Sequence, residues 1–158
     1  MTLSRSILNT LFCTALTLAS ATTAHADVTV KEPWVRGTVA SQKATGAFMQ
    51  LSTTEPVRLV EVRSGAAKIV EVHEMRMEGD RMMMKAVPGI DLVPGQTFEL
   101  KPGGFHVMLI DVVKPLNAGD KVPLTLVLEG KDKKRTQVEV SAEVRALNAM
   151  PAAQQHQH

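Results

Sequence analysis

Apolar and polar residues alternate in short runs along most of the chain. The alternation is cleanest at Leu124, Leu126 and Leu128 and again at Val138 and Val140, the period of two expected of strands with one buried and one solvated face. The same pattern predicts strands over Trp34 to Ala40, Ala47 to Thr53, Val57 to Arg63, Ile69 to Met77, Met82 to Val87, Thr97 to Lys101, Phe105 to Val112, Val122 to Glu129 and Thr136 to Val144. Between these runs fall Glu55-Pro56, Gly79-Asp80, Pro88-Gly89, Pro94-Gly95, Pro102-Gly103-Gly104, Asn117-Ala118-Gly119-Asp120 and Gly130-Lys131-Asp132, residue types suited to the backbone angles of turns. No stretch carries the period of a long helix. The expected architecture is all-β, a sandwich or barrel of antiparallel strands.

The two ends depart from this pattern. Residues 1–26 have a basic Arg5, an apolar stretch from Ile7 to about Leu18 and the small-x-small triplet Ala24-His25-Ala26, which reads as a cleaved secretory signal that leaves Asp27 at the new N-terminus. Asn9 and several threonines interrupt a stretch short of the roughly 20 apolar residues a membrane span needs. Cys13 sits inside that stretch without the small residues that precede a lipidated cysteine. The expected organisation is a signal over 1–26, a β domain over 27–147 and a flexible tail over 148–158, and the expected location is the periplasm.

Composition narrows the function classes. The formal net charge is +2, and Arg5 leaves with the signal, so nothing suggests a nucleic acid or an anionic membrane as partner. Tyrosine is absent and aromatic residues make up 3% of the chain, which argues against a base-stacking surface. Cys13 is the only cysteine, so the secreted form holds no disulfide and rests on its core.

The candidate chemistry lies in histidine and methionine. Before the tail, only His73 and His106 occur in the β region, whereas Met75, Met77, Met82, Met83 and Met84 crowd one predicted hairpin and Met108 follows His106 by two. Taken singly, a buried methionine is core filling and a strand histidine is a hydrogen-bonded structural residue. Strand geometry gives the combination another meaning, because His73, Met75 and Met77 share one face and Glu74, Arg76 and Glu78 the other. A two-residue turn at Gly79-Asp80 would pair Glu78 with Arg81, Met77 with Met82 and Met75 with Met84. Met84 then lies diagonal to His73, at a Cα distance of about 7–8 Å. His106 and Met108 also face one way, and a strand carrying them beside the hairpin would bring together two imidazoles and two thioethers.

That donor set prefers Cu(I). Thioethers are soft and neutral, and imidazole accepts copper in either oxidation state. A zinc site would use cysteine, histidine and carboxylates, and a blue-copper site needs a thiolate. Because imidazole must be neutral to bind, affinity is expected to fall as pH drops through roughly 6–7.

The spacing His73, ten residues, Met84, twenty-one residues, His106, one residue, Met108 resembles the signature of the periplasmic copper chaperone family PCu(A)C. The surrounding Val72-His73-Glu74-Met75, Gly104-Phe105-His106-Val107-Met108 and Gly119-Asp120-Lys121-Val122-Pro123-Leu124-Thr125-Leu126 are similar to it as well. The resemblance implies a cupredoxin-like β-sandwich or barrel and Cu(I) held by His73, Met84, His106 and Met108. It further implies delivery of copper toward the dinuclear copper centre of cytochrome oxidase, alongside thiol-containing copper assembly proteins.

Met75 is a spare ligand or packs beside the site, and Met49, Met77, Met82 and Met83 are assigned to packing. In the tail, Met150, His156 and His158 could form a second copper site, with Cu(II) held through imidazole, or could belong to a plain solvated end. A copper scavenging or tolerance protein without a dedicated acceptor would use the same residues as a chaperone. No nucleophile–base pair or paired carboxylates suggest an enzyme, and four protein ligands would leave no position for substrate. A purely structural β domain is the remaining reading.

Overall fold

The computed structural model describes residues 27–148. The expected signal and the tail residues Met150, His156 and His158 lie outside the described residues. Ten strands follow one another: β1 (Val28–Arg36), β2 (Ala44–Thr53), β3 (Val57–Arg63), β4 (Ala67–Glu78), β5 (Arg81–Ala86), β6 (Ile90–Leu92), β7 (Thr97–Leu100), β8 (Phe105–Val112), β9 (Lys121–Gly130) and β10 (Arg135–Arg145). Among the described residues there is no helix.

The strands hydrogen-bond in the order β5-β4-β8-β2-β1-β10-β9-β3-β6, with β7 also on β2. β2 divides its length, giving Ala44 to Ala47 to β8 and Met49 to Ser52 to β7. One ladder departs from the expected antiparallel scheme, because Trp34, Val35 and Arg36 of β1 run parallel to Glu143, Val144 and Arg145 of β10. A parallel pair needs a long crossover rather than a hairpin, and here almost the whole chain lies between the two strands. That ladder joins the half carrying β2, β4, β5 and β8 to the half carrying β3, β6 and β9.

The core is the inner face of these alternating strands. Val122, Leu124, Leu126 and Leu128 of β9 meet Val140, Ala142 and Val144 of β10, Ala47, Met49 and Leu51 of β2, Val107 and Leu109 of β8 and Val72 of β4. Met49 is buried there, as its packing assignment requires.

The first strand begins six residues before its predicted start and stops four before its predicted end. The cause is a bulge between Lys31 and Trp34, where Glu32 takes φ 48° next to Pro33. An extra residue in one strand exchanges its faces. Trp34 therefore turns outward opposite Phe48, and Val35 enters the core. Without the bulge the two would trade places.

Candidate metal centre

Strand pairing decides which side chains can meet. The β4–β5 hairpin closes in the predicted register, with Met75 opposite Met84, Met77 opposite Met82 and Glu78 opposite Arg81. Gly79 supplies φ 62° at the turn, an angle that costs little only without a Cβ. On its other side β4 pairs directly with β8, which sets His73 opposite His106 and Glu71 opposite Met108. Next to β8, β2 sets Gly46 opposite Met108. Because opposed residues share a face, Glu71, His73, Met75, Met84, His106 and Met108 all project from the outer face of the sheet, away from the main core.

Aromatic packing fixes His106. Trp34 and Phe48 stack with centroids 4.4 Å apart, and the Phe48 and His106 centroids are 6.3 Å apart. The guanidinium of Arg36 lies 5.6 Å from the Phe48 centroid, and that of Arg145 lies 5.1 Å from the Trp34 centroid. A Cβ at Gly46 would stand 2.7 Å from Phe48 Cζ, so glycine there lets the ring lie flat over β2 toward the histidine. His106 is 4% exposed.

The hydrogen bonds set the imidazole tautomers. His106 Nδ1 lies 3.0 Å from the Gly104 carbonyl oxygen, which can only accept, so Nδ1 carries the proton and Nε2 keeps a lone pair. His73 Nε2 lies 2.8 Å from a Glu71 carboxylate oxygen, and in the neutral ring the proton sits on Nε2. Its Nδ1 is buried with no hydrogen-bond partner, an orphan acceptor of the kind that costs about 1–3 kcal/mol unless something fills it. Each ring thus has one nitrogen engaged as a donor and one free lone pair. Burial lowers the His106 pKa from its ordinary value, and the neighbouring His73 and Arg36 charges add to the lowering against the Gly104 hydrogen bond.

A cleft of roughly 220 Å³ opens on this face, and Met75, Met84, His106 and Met108 are among the residues that line it. His73 stands beside that cleft rather than in its wall, with its ring centroid 6.0 Å from that of His106. Three of the four candidate ligands therefore open onto one space and the fourth abuts it. Met75, expected as a spare ligand or a packing residue, faces the cleft opposite Met84. Met84 is 46% exposed, so the cleft is reached directly from solvent. Among the described residues, no three His, Cys, Asp or Glu side chains gather as a metal cluster. The side chains of Met75, Met84, His106 and Met108 bring thioether and imidazole donors to the cleft wall.

Glu71, Arg36 and Phe48 border the site and were not singled out from sequence. Glu71 could have been, since it lies two residues before His73 on one strand. Arg36 and Phe48 reach the site only through the bulge and the β1–β2–β8 pairing, for which no local signal exists.

The family model described as "Putative lipoprotein LpqE-like" matches residues 28–142. A protein named "Putative lipoprotein Lxx21020" from Leifsonia xyli subsp. xyli is 34% identical over 102 residues, which is 63% of this chain and 60% of that protein's length. An uncharacterized protein, RP573, from Rickettsia prowazekii is 27% identical over 124 residues, covering 75% of this chain and 68% of that one. Among solved structures, a copper-bound PCuAC domain from PmoF2 is similar at a TM-score of 0.61 and 26% identity, covering 78% of this chain and 99% of that domain. The Cu(I) form of DR1885 from Deinococcus radiodurans is similar at 0.54 and 28%, covering 73% and 76%. The fold is accordingly the cupredoxin-like β fold of PCuAC domains, and the resemblance carried by the His-Met spacing holds for the structure as a whole.

Proposed function

The chain belongs to the LpqE-like family, and on that basis we propose that it is an exported Cu(I) carrier whose ligands are His73, Met84, His106 and Met108. The observation that carries this reading is the pair of opposed imidazoles, each with one nitrogen held as a donor by Gly104 or Glu71 and one lone pair free, beside the thioethers of Met84 and Met108. The donor set is neutral, soft and free of thiolate, which suits Cu(I) and disfavours zinc, calcium and magnesium. Its likeness to copper-bound and Cu(I)-loaded PCuAC domains supports the same guest.

The carrier hands its copper on rather than storing it. Exposure of Met84 on an edge strand supports transfer, since an acceptor can reach a ligand without unfolding the domain. The acceptor is the dinuclear copper centre of cytochrome oxidase, reached with thiol-containing copper assembly proteins. The route begins with export to the periplasm by the segment 1–26 and its removal, which leaves the β domain over 27–147 and the tail over 148–158. Met150, His156 and His158 of that tail are the candidates for a separate Cu(II) site. The protein is not an enzyme, because four protein ligands fill the coordination sphere.

Anaerobic Cu(I) titration against a competing chelator tests the site. One equivalent should bind tightly, and His106→Ala and Met108→Ala should each weaken it while the domain stays folded; wild-type protein that fails to take up Cu(I) would end the reading. Delivery is tested in a deletion strain, where loss of oxidase assembly is expected and copper sensitivity alone would point to scavenging.

A further inference from the structure

The methionines of the hairpin do not end at the cleft. Met77 and Met82, expected to serve in packing, are 58% and 55% exposed. They face each other one rung further out than Met75 and Met84. All four residues share one face, since their positions differ by two along each strand. Opposed Cβ atoms in such a ladder lie about 4.5–5.5 Å apart and successive rungs about 7 Å, so flexible methionine side chains can turn their sulfurs toward a common point. Glu78 and Arg81 form a rung of the opposite face, and Arg76 and Glu78 are paired there at 2.6 Å. The four-thioether face therefore carries no charge of its own. Edge strands commonly carry charged residues or proline that discourage pairing, and methionines so exposed contribute little to the main core.

The geometry points to a second, thioether-only site for a monovalent soft cation, Cu(I) or its analogue Ag(I), formed by Met75, Met77, Met82 and Met84 on the outer face of the hairpin. This deepens the carrier reading and rests on it: the outer rung receives the ion at the hairpin tip, and Met84, common to both sites, passes it toward His106 and Met108 or back out to an acceptor. The ion stays monovalent throughout, ligands exchange one at a time, and no electron or proton is transferred.

The test uses the full chain labelled with methyl-13C methionine and titrated anaerobically with Ag(I). The first equivalent should move the methyl signals of Met84 and Met108, and the second those of Met77 and Met82. In Met77→Leu/Met82→Leu the first step should persist and the second should be lost. Met77 and Met82 signals that stay still through two equivalents overturn the proposal, as does an unchanged second step at Met75 and Met84 in the double variant. Movement of Met77 and Met82 without any movement of Met108 would support the hairpin site while refuting the inner one, so the two readings fail separately.

Discussion

Burial keeps the His106 imidazole neutral further into acid than an ordinary histidine. Desolvation, then the His73 and Arg36 charges, disfavour its imidazolium and hold its pKa below the usual value. The sequence alone predicted that copper affinity falls through roughly pH 6–7; with the His106 pKa lowered, its proton competes with the metal less across that range. Cu(I) affinity measured from pH 7.5 to 5 should therefore decline less steeply near pH 6.5 than two unshifted histidines would give. Stability of the metal-free protein follows the same shift. Above pH of about 6.5 the ring is neutral folded and unfolded and contributes nothing; below it the unfolded chain binds the proton first, so stability falls until the folded pKa is passed. Denaturation curves between pH 7 and 5 should show that loss, and His106→Gln should remove its share. Glu71 acts through His73, whose Nε2 it engages at 2.8 Å. Groups that orient metal-bound histidines typically account for 10–100-fold in affinity, and Glu71→Gln should lower Cu(I) affinity by about that factor while leaving the unfolding midpoint nearly unchanged. An unaltered affinity would remove Glu71 from the site.

Individual strands differ in how far sequence reveals them. The β4–β5 register was legible because Gly79-Asp80 allows one tight turn and because a slip of one residue would put Arg76 and Glu74 among the methionines. Pairing of His73 with His106 was half legible: the shared face of each strand follows from its period, but the adjacency of β4 and β8 depends on chain segments thirty residues apart. β6, with only Ile90 to Leu92, is too short to show an alternation. β1 was misplaced because a bulge at Glu32-Pro33 exchanges the faces of the strand, which breaks the alternation by which a strand is recognised. Gly46 on β2 gives this level a test. Alanine there would press a methyl against Phe48 Cζ at 2.7 Å, and Phe48 is confined between Trp34 and His106. Overpacking of this kind costs about 1–3 kcal/mol, so Gly46→Ala should lower the unfolding free energy by that amount and weaken Cu(I) binding through the displaced imidazole. Gly46→Ala protein with native stability and affinity would show that the ring has room to move.

The molecule separates its apolar core from its cluster of imidazoles and thioethers. Its core lies between the inner faces of the two halves, and the imidazoles and thioethers stand on the outer face of one half. Leu128 of β9 is fully buried on the far side of that core. Its replacement by alanine should cost about 2–5 kcal/mol yet leave the Cu(I) affinity of the folded fraction unchanged, as calorimetric unfolding and chelator competition on one sample can establish. An affinity that fell in step with stability would mean that the site is mechanically tied to the whole sheet.

β5 ends the sheet with a single neighbour, and every one of its six residues is exposed. Segments with few buried contacts open at little cost and do so often. Met84 rides on this strand, while His106 and Met108 ride on a strand held from both sides. With Met84 in the proposed ligand set, local opening of this one short strand would set the rate at which an ion is released. In hydrogen exchange the amides of Arg81 to Ala86 should trade their protons well before those of Phe105 to Leu109, and loading with metal should slow the first group far more than the second.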